Sequence, residues 1–168
     1  GNNAFDKTNS TGETLAGSIA GCDVGCYEAW QKCTGDPSVI VAVLDDGVMY
    51  THPDLAGNIW VNDKEELYAG TDADGNGYKD DRYGYNFVHN TAAISWTDVS
   101  DIGHGTHVSG TIAAMNNGYG VCGIAGGDGT KDSGVKIMIC QVFAGENSVS
   151  LNGEAQAIKY AADNGAVL

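Results

Sequence analysis

The clearest pattern in the chain is a short apolar run that ends in acid. Val39 to Leu44 reads VIVAVL, β-branched and without polar alternation. Such a run fits a strand buried on both faces, as in a parallel sheet. It stops at Asp45-Asp46-Gly47, where the chain must turn. Residues 51–83 then read mostly as loop, with an acidic, Gly-rich centre. Gly84 to Val88 (GYNFV) is a second short strand, and Val135 to Phe143 (VKIMICQVF) a third. Between them, His104 to Met115 has the pattern of a buried helix. Leu151 to Asn164 places apolar residues at helical spacing, and Gly165 offers a C-cap. Ala166-Val167-Leu168 opens a further apolar run.

Strand, helix, strand, helix, strand predicts an α/β fold with a mostly parallel sheet and flanking helices. In such sheets, sites gather at the carboxyl ends of strands, and Asp45 stands at one of those ends. Residues 1–28 are polar, small and Gly-rich and read as an extended amino-terminal arm. Residues 29–168 form the body. Because the last apolar run has only three residues, the domain is expected to continue beyond Leu168.

Charge changes the picture. The formal net charge is -14, with 22 acidic against 8 basic residues. That argues against a nucleic-acid partner, since phosphate contacts need Lys and Arg. The acids either keep an exported protein soluble or hold hard cations. No apolar run of about 18 residues is present, so no membrane span is expected. Five cysteines occur, at 22, 26, 33, 122 and 140. Cys33 has two candidate disulfide partners, Cys22 and Cys26. Cys122 and Cys140 lie in apolar sequence and read as small buried hydrophobes. With no C-x-x-C pair and no nearby His, the first cluster does not suggest zinc.

The chemistry lies in two segments. Asp45 follows five aliphatic residues, and a carboxylate there is costly without a partner; alone it also reads as a turn residue. His104-Gly105-Thr106-His107 opens the predicted helix. Together, VAVLDDGVMYTHPDL (Val41 to Leu55) and DIGHGTHVSGTIAA (Asp101 to Ala114) resemble the aspartate and histidine motifs of the subtilase family, in that family's order. The resemblance runs from about Ala29 to Leu168. It implies a subtilisin-like fold, truncated before its carboxyl-terminal half, and serine endopeptidase activity. Asp45 would be the triad aspartate and His104 the general base. His107 corresponds to a structural histidine directed into packing or hydrogen bonding. Gly105 and Gly110 read as permitting close backbone approach. The family's serine motif and oxyanion-hole asparagine are absent, and Ser109 reads as a small packing residue. The chain alone is therefore expected to be inactive, its partners being a polypeptide substrate and the remaining half of the catalytic domain. A non-catalytic peptide-binding module on the same scaffold is the alternative.

The resemblance implies further sites. Asp46 stands where many subtilases have Ser or Thr. The Asp-Asp-Gly form is similar to the proprotein convertases, which implies a preference for Lys or Arg just upstream of the cleaved residue; otherwise Asp46 is a solvated turn acid. A calcium site is implied at Asp54 with the Asn117 side chain and the carbonyls of Met115, Tyr119 and Val121, against a plain loop. The stretch from Asp72 through Asp74, Asn76, Tyr78 and Asp80 to Asp81 resembles a second Ca²⁺ loop, against an acidic turn. Its first oxygen ligands have EF-hand spacing, but position twelve is Tyr83. Phe143, Ala144, Gly145 and Glu146 fall in the segment that pairs with extended substrate in the family; Phe143 lines a pocket or belongs to the core. Secretion or display at the cell surface is the expected location.

Overall fold

The computed structural model describes residues 24–98 and 100–168. The chain divides into two compact units, Gly1–Thr34 and Gly35–Leu168. In the first, Cys26–Trp30 forms helix α1. Residues 26–28 are thus helical, not extended; the segment CYEAW contains no β-branched residue to resist the turn. Residues 1–23 of the expected arm lie outside the described residues. Cys26 carries a free thiol, so the Cys26–Cys33 bridge is not formed. Its alternative through Cys22 lies outside the described residues.

The second unit is built on a parallel sheet. Strands β1 (Ile40–Asp45) and β2 (Gly84–Asn86) both pair with β3 (Lys136–Gln141), in the order β1-β3-β2. Register sets Val41 beside Ile137, Val43 beside Ile139 and Asp45 beside Gln141. Helix α2 (His104–Ala113) covers one face and α3 (Leu151–Asp163) the other. The pleat explains the unbroken apolar runs. Val43, Ile137 and Ile139 join a core with Val48, Leu55 and Ala113, against which Val41, Val108 and Ile112 pack. Met138 and Cys140 join the opposite core with Ala157, Tyr160 and Ala161, and Ile40, Ala42 and Leu44 pack there. Each strand needs apolar side chains at both parities because it has a helix on both sides.

The expected single strand from Val135 to Phe143 is interrupted. β3 ends at Gln141, and Phe143–Ala144 (β4) pairs antiparallel with Asn147–Ser148 (β5) in a hairpin. The Gln141 side chain holds the bend, its Nε2 donating to the Phe143 carbonyl at 3.0 Å. Helix α3 begins where Ser150 Oγ accepts from the Gly153 amide at 3.3 Å. It ends at Asn164-Gly165, with Gly165 at φ 88° as its position predicts. Beyond it, the Val167 amide donates to the Ile40 carbonyl and the Ala42 amide to the Leu168 carbonyl, so the last apolar run lies along β1.

Cys140 is the buried hydrophobe expected, and burial pushes its thiol up to about 12. Cys122 is exposed instead, because it lies in a loop after α2 rather than on an element with a core face. Replacing Ile137, which is fully buried at the centre of the sheet, by Ala in the full-length protein should cost about 2–5 kcal/mol. Urea unfolding measures the loss.

Candidate active site

Asp45 shares the parity of Val41 and Val43, so its side chain projects to the face that α2 covers. There it meets the first residue of the helix. His104 Nδ1 lies 2.9 Å from Asp45 Oδ1 and 2.8 Å from Oδ2. The carboxylate side chain is 14% exposed and the imidazole 59%. One carboxylate therefore orients the ring through Nδ1 and leaves Nε2 as its other nitrogen.

Several contacts fix this pair. The Asp46 amide donates to Asp45 Oδ1 at 2.8 Å. Asp46 Oδ1 accepts from the Gly105 amide at 2.7 Å, and Oδ2 from the His104 amide at 3.2 Å. Asp46 is therefore a cap on α2, not a solvated turn acid. The Met49 amide donates to Thr106 Oγ1 at 2.9 Å. At Gly105 a Cβ would stand 2.2 Å from the Gly47 carbonyl, so only glycine lets the turn and helix close together. Gly110 has open space around that position, and the expected close approach there is absent.

His107 departs from expectation, since its side chain is exposed. The buried positions of α2 are Gly105, Ser109 and Ala113, while His104, His107 and Thr111 share the outer face. Ser109 is fully buried, as a packing residue should be.

Behind the pair lies a polar network that the sequence pattern did not single out. Gln141 is fully buried, accepts from the Ser95 amide at 2.9 Å and donates to Ser95 Oγ at 2.8 Å. Ser95 Oγ also bonds Asp98. Asp101 Oδ1 accepts from the Gly145 amide at 2.9 Å, tying the approach to His104 to the hairpin. A Gln inside VKIMICQVF was the available signal, because an amide within a buried run must find partners. On the hairpin, Ala144 is buried, whereas Phe143 and Glu146 are exposed and Gly145 is half-buried. Phe143 is not a core residue.

The two candidate metal loops differ. Asp54 is buried, with Oδ2 accepting from the Val121 amide at 2.9 Å and Oδ1 from Asn117 Nδ2 at 3.3 Å. Asn117 Oδ1 accepts from the Tyr119 amide, and the Met115 carbonyl from the Asn117 amide. Loop and carboxylate are together, with the Val121 amide and Asn117 Nδ2 donating to the acid. In the other loop, carboxylate oxygens of Glu65, Asp72 and Asp74 lie within 4.8 Å of one another. That donor set fits a hard divalent cation. Glu65 was missed because it precedes the acidic run; fully buried, it accepts from the amides of Ala73, Asp74 and Asp80. Asn76 bonds Asp74 and Asp81. Asp80 Oδ1 accepts from the Gly70 amide at 2.7 Å. Two of the expected ligands also reach into the core. Tyr78 stacks edge-on against Tyr85, Phe87 and Tyr160. Asp81 accepts from the Tyr160 hydroxyl at 2.7 Å, and burial holds its carboxyl above the usual range.

The fold and this pair define a class: a parallel α/β protein presenting an aspartate-oriented histidine at the carboxyl end of its sheet. The chain belongs to the subtilase family, whose model matches residues 36–167. It is 45% identical over 106 residues to subtilisin-like protease 1 of Plasmodium vivax, covering 61% of this chain and 15% of that protein. It is 34% identical over 167 residues to fervidolysin of Fervidobacterium pennivorans, covering 92% of this chain and 19% of the other. The crystal structure of fervidolysin, a keratinolytic enzyme related to subtilisin, superposes with a TM-score of 0.55 and 28% identity, covering 83% of this chain and 17% of that one. The chain thus spans under a fifth of the length of these relatives.

The Asp45 hydrogen bond raises the His104 pKa most, its charge adds to this and Asp46 contributes, while the small desolvation opposes. The folded value lies above the unfolded one, so the contribution to stability is full below the ordinary histidine range and is lost as pH rises through the folded pKa. Imidazole NMR should find His104 titrating above about 6.5. Asp45→Asn should bring that midpoint down.

Proposed function

We propose that this chain supplies the aspartate and histidine of a serine endopeptidase of the Asp-His-Ser type. Residues 29–168 are the amino-terminal part of its catalytic domain. The nucleophilic serine and the oxyanion donor belong to the carboxyl-terminal half. One observation carries the reading: both Asp45 oxygens lie within hydrogen-bond reach of His104 Nδ1.

The chemistry follows from the atoms. Nδ1–H donates to Asp45, so Nε2 is the basic nitrogen. It takes the serine hydroxyl proton as that oxygen attacks a peptide carbonyl, then returns it to the leaving amine. Asp45 keeps the tautomer and stabilises the imidazolium. The substrate is an extended polypeptide lying against the hairpin segment Phe143 to Glu146, where exposed Phe143 offers apolar contact. The protein acts outside the cell or at its surface; among the described residues no helix is long and apolar enough to cross a membrane.

The resident cation is Ca²⁺, held by Glu65, Asp72 and Asp74, with Asn76 and Asp80 at the margin of the same loop. When bound, it neutralises the converging carboxylates and ties the loop 72–81 to Glu65. Three carboxylates brought together in this loop support that reading.

In the full-length protein, Asp45→Asn should lower kcat about 10⁴-fold. His104→Ala should abolish peptide hydrolysis and labelling by a fluorophosphonate probe. Wild-type turnover or labelling by His104→Ala would overturn the protease reading. Chelation should lower the melting temperature by several degrees, and calcium should restore it. Glu65→Gln should remove most of that response in calorimetry.

A further inference from the structure

Helix α2 lacks a cap of its own. Its N-cap residue is Gly103, which has no side chain, and its first turn contains no acid. The amides at a helix start need acceptors, and the positive end of the helix dipole favours a negative charge. Here the acceptor comes from 58 and 59 residues earlier in the chain, through the bonds of Asp46 to the His104 and Gly105 amides. Asp46 is itself fixed, because its own amide bonds Asp45 Oδ1. Two consecutive residues thus hold the same histidine at two points: Asp45 grips the ring, and Asp46 grips the backbone that carries it. A hydroxyl in place of Asp46 would offer one oxygen where two amides require acceptors.

We propose that Asp46 is a positioning residue for peptide hydrolysis, fixing the backbone of His104 against the tip of β1 by capping α2. The proposal rests on the protease reading above, because it assigns His104 as the base. A ring displaced by a fraction of an ångström loses its alignment with the substrate proton, a loss that appears in turnover rather than in binding. The charged groups facing the imidazole are Asp45, the last residue of β1, and Asp46, the first residue beyond it. His107, one turn along α2, is the next titratable side chain on the outer face of that helix.

The test uses the full-length protein with Asp46 replaced by Ala, Asn or Ser. Asp46→Ala should lower kcat about tenfold, with KM for peptides changed by no more than about twofold. Asn and Ser, which each keep one acceptor, should fall between Ala and the wild type. All three should lower the His104 imidazole midpoint, since a nearby negative charge is removed. In the wild type, the His104 and Gly105 amides should both be protected from hydrogen exchange, as the bonds to Asp46 require; this needs no variant to fold. Rapid exchange at both amides, or variants with unchanged kcat and imidazole midpoint but raised KM for Lys- or Arg-containing peptides, would overturn the proposal. The second result would make Asp46 a substrate contact. Failure of the protease reading is distinguishable, because amide exchange and the imidazole titration report the cap whether or not peptides are cleaved.

Discussion

A carboxylate at the end of a buried strand must find a partner, and the local architecture is organised around that demand. Asp45 stands at the tip of β1 with a 14% exposed side chain. Leaving such a charge unpaired costs more than a single exposed ion pair returns. The partner comes from the helix that packs on the same face of the sheet. Bringing the two together requires the turn after β1 to lie directly against the first turn of α2. Gly105 makes room for the Gly47 carbonyl, Thr106 receives the Met49 amide, and Asp46 receives the first helix amides. The pair is therefore held by the backbone as well as by charge. Because the imidazole remains 59% exposed, the ion-pair energy is modest. Geometry, not electrostatic strength, is what this arrangement provides.

The sheet supplies the rigidity behind that geometry. β3 lies between β1 and β2 and is buried along nearly its whole length, so its register with β1 fixes the height of Asp45. At the same level, Gln141 lies beside Asp45 and spends its amide on Ser95 and Phe143. The bend after β3 and the loop before α2 are thereby joined through one buried side chain. Asp101 makes a second link between that loop and the hairpin at Gly145. An extended peptide beside the hairpin would lie against a surface tied to the histidine by side-chain hydrogen bonds on both sides.

Much of this was legible in sequence because burial leaves a pattern. The runs VIVAVL and VKIMIC have no polar alternation, and the structure gives each a helix on either face. The segment HGTHVSGTIA reads as a helix despite its glycines, and one of those glycines, Gly105, lets the turn after β1 close against it. What the pattern misled on was direction. His107 repeats the chemistry of His104, but three residues along α2 keeps it on the outer face. Cys122 has apolar neighbours, yet no regular element aims it inward. Tyr78 and Asp81 sit in an acidic loop and turn to the core, because Tyr160 on α3 offers a ring for one and a hydroxyl for the other. Glu65 went unseen since its contacts lie 8 to 15 residues away in the chain.

The acidic loop shows why composition alone could not separate solvation from cation binding. Most of the 22 acids bear on neither question until their surroundings are known. Asp128, on the surface, is held down to about 2 by hydrogen bonds from Thr130 and Ser133 and needs nothing further. Glu65 is different, for it is wholly buried and its oxygens approach those of Asp72 and Asp74 within 4.8 Å. Two like charges at that distance repel by about 3 kcal/mol at an effective dielectric near 20. Three backbone amides point at Glu65 and offset part of this, while neutral Asn62 and Asn76 spread over Asp74 and Asp81. Neutral donors satisfy lone pairs but leave the summed negative charge in place. A divalent cation would offset that charge at its source, which is the physical basis for proposing Ca²⁺ in this loop. The Asp54 loop carries only one carboxylate, already met by amide donors, and has no comparable repulsion to relieve.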